Sequence, residues 1–514
     1  MRLKLNIIFI ICSFLLNAQG GWKKRYYLPN SSTSELGNIF ETPSGNLVMV
    51  GLTYETLNND QSYKLTLAGT DPQGTILWEK KYGSSKFTYL NFFGQRGFIN
   101  DANFYYLTTC VRDSNNRYIG LLIKFNFNGD TLWQKIYRDS DTLENVIPVA
   151  ITKSLDGGFL LTGWFQNGSA GGQQCLVIKT DVNGNELWRK KINKSVPDVQ
   201  AGFALVQDSA SKKIIIVGYQ YIGSASNAGT YSNILILDSL GNKLIQTTFN
   251  NYDGGPFSEI IQLKDKNFMT GGGINANNDL GGSRRLNTVV VKFDINANII
   301  WKKTYDTLSL YNQASALSER SNGDIIMAGI LDTLQNYNQQ PVVKVKVFRI
   351  DKDGKVKWRR NIGSAHDLST CQGIASMRPT RDGGYILAAG FPYLPDPKPY
   401  SIIKIDSTAC DTLESVCQIM ETLGIENFYK KTGWGFEVFP NPAKDLVNFK
   451  IDAPQDKKFV VKMNEISGRQ VDEINVDSQT DVGLNILDYK PGIYFVSIYY
   501  QGKSVETKKL VIAR

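Results

Sequence analysis

A unit of about 56 residues recurs along this chain and leaves few folds open to it. Ile123-Lys-Phe-Asn-Phe-Asn-Gly129-Asp-Thr-Leu-Trp133 is echoed by Ile178-Lys-Thr-Asp-Val-Asn-Gly184-Asn-Glu-Leu-Trp188, and further copies end at Trp78, Leu244, Trp301 and Trp358. From Trp78 onward the intervals are 55, 55, 56, 57 and 57 residues. A second motif lies upstream of each copy: Gly45 to Gly51, Gly157 to Gly163, Lys213 to Gly218, Gly323 to Gly329 and Gly383 to Gly390, with weaker copies at 103–110 and 267–271.

Each unit holds four short runs with the length and β-branched content of strands, such as 202–207, 213–219, 232–238 and 243–249, and no helical period is sustained. Between the third and fourth runs stands Asp-x-x-Gly, as in Asp181 to Gly184, Asp238 to Gly241 and Asp351 to Gly354. Asp bonds its own backbone and Gly accepts positive φ, so the element predicts a tight hairpin turn. Four antiparallel strands repeated radially make the blade of a β-propeller. A parallel β-solenoid is the alternative, disfavoured by the long unit and the missing turn ladder.

The last Ile-Lys-x-Asp strand, Ile402 to Asp406, has no tryptophan strand after it, whereas Trp22-Lys-Lys-Arg-Tyr-Tyr27 resembles Trp188 to Ile192 and lies 56 residues before Trp78. The expectation is an all-β chain whose seven-bladed β-propeller spans 19–408 and is closed by the N-terminal strand, which hides edges that would otherwise template aggregation. The first strands of the blades, such as 202–207 and 314–319, are expected to line the channel.

Residues 1–18 read as a signal peptide: Arg2 and Lys4, an apolar run from Ile7 to Leu16, and Ala18 as the cleavage residue. That run is too short to span a bilayer, which takes about 20 residues. Losing Arg2 and Lys4 lowers the formal charge from +9 to +7, and losing Cys12 leaves Cys110, Cys175, Cys371, Cys410 and Cys417. Cys410 and Cys417 are close enough for a local disulfide, while Cys110 and Cys175 sit in apolar strand patterns as buried thiols. The positive charge is spread singly over alternating strands without a basic stripe, which excludes nucleic acid as the expected partner. A single histidine excludes a polyhistidine metal centre, no Cys-x-x-Cys pair supports zinc, and no cofactor is expected.

After Asp406 the period stops; 409–435 reads as a linker, and alternating short strands over 436–514 indicate a small Ig-like β-sandwich. Pro440-Asn441-Pro442, the Gly468 turn, Pro491-Gly492-x-Tyr494 and a Lys-rich final strand occur there in order. This succession resembles the type A C-terminal sorting domain of type IX secretion. The resemblance implies Sec export, passage through the outer membrane of a Gram-negative bacterium, and removal of the domain by a sortase-like peptidase, leaving the propeller secreted or attached to the surface. The propeller units resemble quinoprotein-like and delta-60-type repeats through Asp-x-x-Gly before Trp and through the Asp-Gly-Gly-Phe/Tyr strands at 156–159 and 382–385. Quinoprotein dehydrogenases space Asp and Gly one residue further apart, so no cofactor residues are carried over.

Loops joining second to third strands vary in length and sequence, and binding usually lives on loops held by a rigid scaffold. Trp164, Phe165, Tyr221, Arg284, Arg285, His366 and Tyr393 fall on that face, where aromatic rings suit stacking on sugars or apolar partners. His366 beside Asp367 is the sole imidazole, and no Ser or Cys can be placed next to it. The expected function is a non-catalytic exported module that binds a glycan or a protein. The alternative is an extracellular carbohydrate-active hydrolase or lyase, or a quinoprotein-type oxidoreductase, with Glu259 and Glu319 as the channel acids to check.

Overall fold

The computed structural model describes residues 22–26, 31–55, 62–83, 87–90, 96–138, 144–167, 173–192, 199–222, 229–249, 256–275, 286–305, 312–333, 342–362, 373–390, 400–406, 435–453, 457–465, 469–478, 481–500 and 503–513. The chain divides into two compact units, Met1–Met420 and Glu421–Arg514. Every regular element among the described residues is a strand. The signal segment, Cys371, Cys410, Cys417 and all of the linker but its last residue, Gly435, which opens a strand, lie outside them.

In the first unit the strands form meandering antiparallel sheets. Sheet 1 runs Ser31–Glu41, Leu47–Glu55, Ser62–Thr70, Ile76–Tyr82, and the pattern repeats over 88–137, 144–192, 199–249, 259–305 and 312–362 as sheets 2 to 6. Sheet 7 has Gly373–Pro379, Tyr385–Gly390 and Tyr400–Ile405, and its outermost strand is Trp22–Tyr26, with Trp22 opposite Lys404 and Tyr26 opposite Tyr400. Antiparallel pairing throughout excludes the parallel solenoid, and the arrangement is propeller-like. Each pair of successive sheets shares an apolar layer. Leu161 and Phe165 of sheet 3 pack with Tyr106 and Leu122 of sheet 2, and Ile386 and Ala388 of sheet 7 pack with Ile39 and Met49 of sheet 1. Sheet 7 also meets sheet 1 through the Ile39 amide, which donates to Ser376 Oγ at 3.1 Å.

Four contacts account for the recurring motifs. In the Asp-x-x-Gly turn, Asp181 Oδ1 accepts the amides of Asn183 and Asn185 at 2.9 and 2.8 Å, and Gly184 has φ of 77°. The tryptophan four residues after that glycine covers the turn of the next sheet: a Cβ on Gly184 would lie 2.9 Å from Trp133, and one on Gly241 2.8 Å from Trp188. Tyr137 completes the clamp, its hydroxyl donating to the Gly184 carbonyl at 2.8 Å. Finally, the lysine of Ile-Lys-x-Asp reaches the aspartate of the first hairpin, as Lys179 does to Asp156 at 2.8 Å and Lys292 to Asp265 at 2.7 Å.

One motif assignment needs correction. Lys179 pairs with Trp188 in sheet 3, and the equivalent place in sheet 4 belongs to Ile245, opposite Ile236, while Leu244 is 50% exposed. The facing turn of sheet 5 has Ala297 at φ of 61° where other turns have glycine, and Ala297 and Ile245 share one apolar layer. The smaller Ile245 leaves room for a methyl group that tryptophan would exclude.

The strand-end glycines have a different cause. The innermost strand bulges beside them, between Pro148 and Ala150 opposite Gly163 and between Gly202 and Ala204 opposite Gly218. A Cβ on Gly163 would fall 1.9 Å from the Ile147 carbonyl oxygen, and one on Gly218 2.0 Å from that of Ala201. The bulge steers the inner strand over its neighbour, so only glycine fits there. Cys110 and Cys175 are buried free thiols as expected; burial pushes the Cys175 thiol up to about 12 and Cys110 higher still.

In the second unit, sheets ordered Gly435–Phe439, Leu446–Asp452, Asp481–Asn485 and Gln470–Asp477, Lys458–Glu465, Gly492–Tyr500, Lys503–Ile512 enclose one core that includes Phe436, Phe449, Phe459, Tyr494 and Leu510.

Candidate functional site

Of the residues proposed for the variable face, Trp164 and Phe165 belong to strand Phe159–Asn167, which continues past the Gly163 motif. Trp164 is 8% exposed, its ring 6.0 Å from that of Phe203; Phe165 is buried with the Lys191 ammonium 3.7 Å from its ring centre. Neither ring is open for stacking, because extending the strand carries both into the packing between sheets. Tyr221 is 39% exposed, near the end of Ile214–Ile222 opposite Val199 and Thr230. Arg284, Arg285, His366 and Tyr393 lie outside the described residues.

The same end of sheet 4 holds polar groups that no motif signalled. Gln200 on the innermost strand is 2% exposed, and among the described residues neither its carboxamide oxygen nor its nitrogen finds a hydrogen-bond partner. Its cross-strand neighbour is Gln220, whose Oε1 accepts from Gln246 Nε2 at 2.8 Å. Asn233, opposite Gly218, is 2% exposed, and its Nδ2 likewise has no partner among the described residues. Cross-strand register and the two-residue alternation place Gln200, Gln220 and Asn233 on one face of the sheet. By the same alternation Tyr219 falls on the other face; its ring lies 5.6 Å from that of Phe203, which is 6.0 Å from Trp164, and its hydroxyl donates to Gln173 Oε1 at 2.9 Å. A buried amide without a partner costs about 1–3 kcal/mol, and native structures keep such groups where they serve something else. A carboxamide offers a donor and an acceptor side by side without charge, which suits a diol or a peptide group.

The innermost strands also meet at a charged centre. The inner strand of sheet 2 is split: the Leu90 amide bonds the Cys110 carbonyl and the Thr108 amide the Gly97 carbonyl, and Arg96 comes just before the second part. Arg96 is ion-paired with the buried Glu259 of sheet 5, and its Nη2 donates to the Ile260 carbonyl at 2.5 Å. Arg378 of sheet 7 donates to the Phe98 carbonyl at 3.1 Å. Burial, helped by the charge of Arg378, lowers the Arg96 pKa to about 9, and burial lowers that of Arg378 to about 10, so both remain cations at neutral pH. Glu259 is therefore a counter-ion. Glu319 ends its strand with Oε2 accepting the Lys264 amide of the preceding sheet at 2.8 Å, just as Glu41 accepts the Arg381 amide at 2.7 Å and Gln207 the Leu155 amide at 3.0 Å. That repetition makes Glu319 an inter-sheet tie. Among the described residues no three His, Cys, Asp or Glu side chains are placed to hold a metal ion, and no helix is long and apolar enough to cross a membrane.

The sorting-motif residues of the second unit have definite tasks. Tyr494 is buried and its hydroxyl donates to the Lys490 carbonyl at 2.8 Å, fixing the chain just before Pro491 and Gly492. Asn441, between Pro440 and Pro442, contacts the final strand. Gly468 lies outside the described residues.

Residues 437–513 match the family model described as the secretion system C-terminal sorting domain. The match bears out the assignment made from the four ordered motifs and carries export through the type IX system. No curated protein matches the chain in sequence. Among solved structures, the chain is similar to the β-propeller domain of the Trilobed protease from Pyrococcus furiosus (8% identity, 75% of this chain and 99% of that one, TM-score 0.40). Others are the NanB sialidase from Streptococcus pneumoniae (11%, 76% and 69%, TM-score 0.37) and an α-L-arabinofuranosidase from Fusarium graminearum (9%, 75% and 96%, TM-score 0.36). Likenesses at this level carry no argument about activity.

Proposed function

We propose that this chain is an exported propeller that captures a glycan without cleaving it, at the end of sheet 4 where Gln200, Gln220 and Asn233 share one face. The observation that carries the reading is the buried Gln200 carboxamide, without a partner among the described residues. A protein partner is the other occupant of the same class. The exit route is a signal peptide cleaved after Ala18, then the type IX machinery and a sortase-like peptidase acting on an Ig-like sandwich that begins near residue 436. The propeller itself is a closed ring of seven blades. Its support is the pairing of Trp22–Tyr26 with Tyr400–Ile405 together with the Ile39 to Ser376 bond. The hydrolase alternative receives no support from Glu259 and Glu319, since the first neutralises Arg96 and the second ties adjacent sheets.

The test is a glycan-array and polysaccharide-hydrolysis screen on the purified protein and on Gln200→Met, read for binding and for product release. The expected result is saturable binding without turnover, lost in Gln200→Met, while that variant melts at a higher temperature because an unsatisfied amide has been replaced by a thioether of similar shape. Product release by the wild type would restore the enzyme reading, and unaltered binding by Gln200→Met would move the site elsewhere.

A further inference from the structure

The final strand, Lys503–Ile512, forms an edge of its four-stranded sheet, paired on one side with Gly492–Tyr500. Its outer side is not bare along its whole length. Asn441 Oδ1 accepts the Val511 amide at 2.9 Å and Asn441 Nδ2 donates to the Lys509 carbonyl at 2.6 Å. Two residues on, the Ala443 amide donates to the Val511 carbonyl at 2.8 Å and the Ala443 carbonyl accepts the Ala513 amide at 2.9 Å, forming a parallel bridge between Ala443 and Ile512. A carboxamide presents the same donor and acceptor pair as a peptide group. Asn441 thus prolongs the short parallel pairing begun by Ala443, in a place where the flanking Pro440 and Pro442 have no N–H to offer.

We propose that Asn441 is a positioning residue of the sorting signal: its side chain latches the 440–443 segment onto the outer edge of the last strand, and the export machinery reads that covered strand rather than a bare edge. The inference rests on the sorting assignment of residues 437–513. Ala443 is fully buried, whereas Asn441 is exposed. The anchor of the segment is therefore apolar, and the latch can be removed without opening the core. Aspartate at 441 would keep the acceptor for the Val511 amide but would replace the donor to the Lys509 carbonyl with a repelled oxygen.

The test uses the full chain in a host with a working type IX system, with Asn441→Ala, Asn441→Asp and deletion of 437–513 compared for extracellular yield. Melting temperature and amide hydrogen exchange are measured on the purified proteins. Asn441→Ala is expected to melt within a few degrees of wild type, to exchange its Val511 amide about tenfold faster, the size expected for one lost hydrogen bond, and to accumulate inside the cell. Asn441→Asp is expected to retain protection at Val511 and to export better than the alanine variant. Wild-type yield of Asn441→Ala despite a deprotected Val511 would overturn the latch, as would unchanged protection. Normal export of the deletion would instead overturn the sorting assignment itself.

Discussion

The hydroxyl of Tyr26 donates to the carbonyl of Gly74 at 2.6 Å, joining the first strand of the chain to the third-to-fourth turn of sheet 1. The same strand hydrogen-bonds along its length to sheet 7. Tyr26 therefore stands to Gly74 as Tyr137 stands to Gly184 and Tyr305 to Gly354, and Trp22 lies against Gly74 as Trp133 lies against Gly184. Trp22–Tyr26 behaves as the fourth strand of sheet 7, clamping the next sheet in order. Burial, with the charge of Asp71, pushes the Tyr26 pKa above the ordinary tyrosine range, so the hydroxyl stays a donor in any ordinary buffer.

Tyr26→Phe removes that single bond while keeping the ring. The expected loss is about 1 kcal/mol, read as a lowered urea midpoint, and Tyr137→Phe should lose a similar amount. Deletion of 19–28 should be far worse, since it exposes the edge of Tyr400–Ile405. Unchanged thermal stability of the deletion would rule out closure by the N-terminus.

Removing one partner of a buried ion pair leaves the other charge stranded, at a cost of about 3–5 kcal/mol. Glu259→Gln should therefore destabilise strongly through the uncompensated Arg96. The double variant Arg96→Met/Glu259→Met should recover much of the loss, because packed apolar groups replace a buried pair at little cost. Equilibrium denaturation of the three proteins gives the comparison. A double variant no better than Glu259→Gln would mean that the centre needs its charges for more than mutual neutralisation.

The repeat was legible because its residues recur for physical reasons: the turn aspartate, the glycine under tryptophan and the paired lysine each reappear wherever the contact does. What escaped was what does not repeat. Arg96 lies in the break of the inner strand of sheet 2, whose glycine motif is one of the two weaker copies, and nothing in its flanking sequence announces an ion pair with a residue 163 positions away. Gln200 and Asn233 look like ordinary strand residues, since burial without a partner is a property of three-dimensional surroundings. Trp164 misled in the opposite direction: an aromatic just beyond a motif read as a loop residue, yet the strand runs on to Asn167. Ile245 escapes the motif because it lacks the tryptophan ring; what recurs is contact with the facing turn from the residue four positions after the glycine.

Acid should weaken the first unit over a narrow range. The Asp101 carboxyl, pushed up by partial burial but held down more strongly by Lys153 and by the amides of Asn103 and Phe104, has its pKa lowered to about 2. Asp156, Asp265, Asp324 and Asp382, each bonded to a lysine or arginine, are also lowered. With folded values below the unfolded value of about 3.9, their contribution is fully present above pH about 4 and is lost as pH falls towards about 2. The chain has one histidine, so the urea midpoint should be nearly flat between about pH 5 and 8 and drop below about 4. Asp101→Asn should lower the plateau and shallow the drop. A slope centred near pH 6 would contradict this assignment.

The strand-end glycine gives the most discriminating test of the bulge. Gly157 has φ of 88° and open space where its Cβ would be, so Gly157→Ala suffers only from the left-handed backbone, about 1–2 kcal/mol. Gly163 does not have positive φ, but its Cβ would strike the Ile147 carbonyl at 1.9 Å, and neither that oxygen nor Pro148 can yield without undoing the bulge beside Ala150. Gly163→Ala should cost about 3 kcal/mol or more, the upper range of overpacking. It should also loosen the inner strand of sheet 3, seen as faster hydrogen exchange at the Ile151 amide, which donates to the Arg96 carbonyl at 2.6 Å. Equal destabilisation by the two substitutions would show that the glycine is there for turn geometry, with the bulge merely adjacent to it.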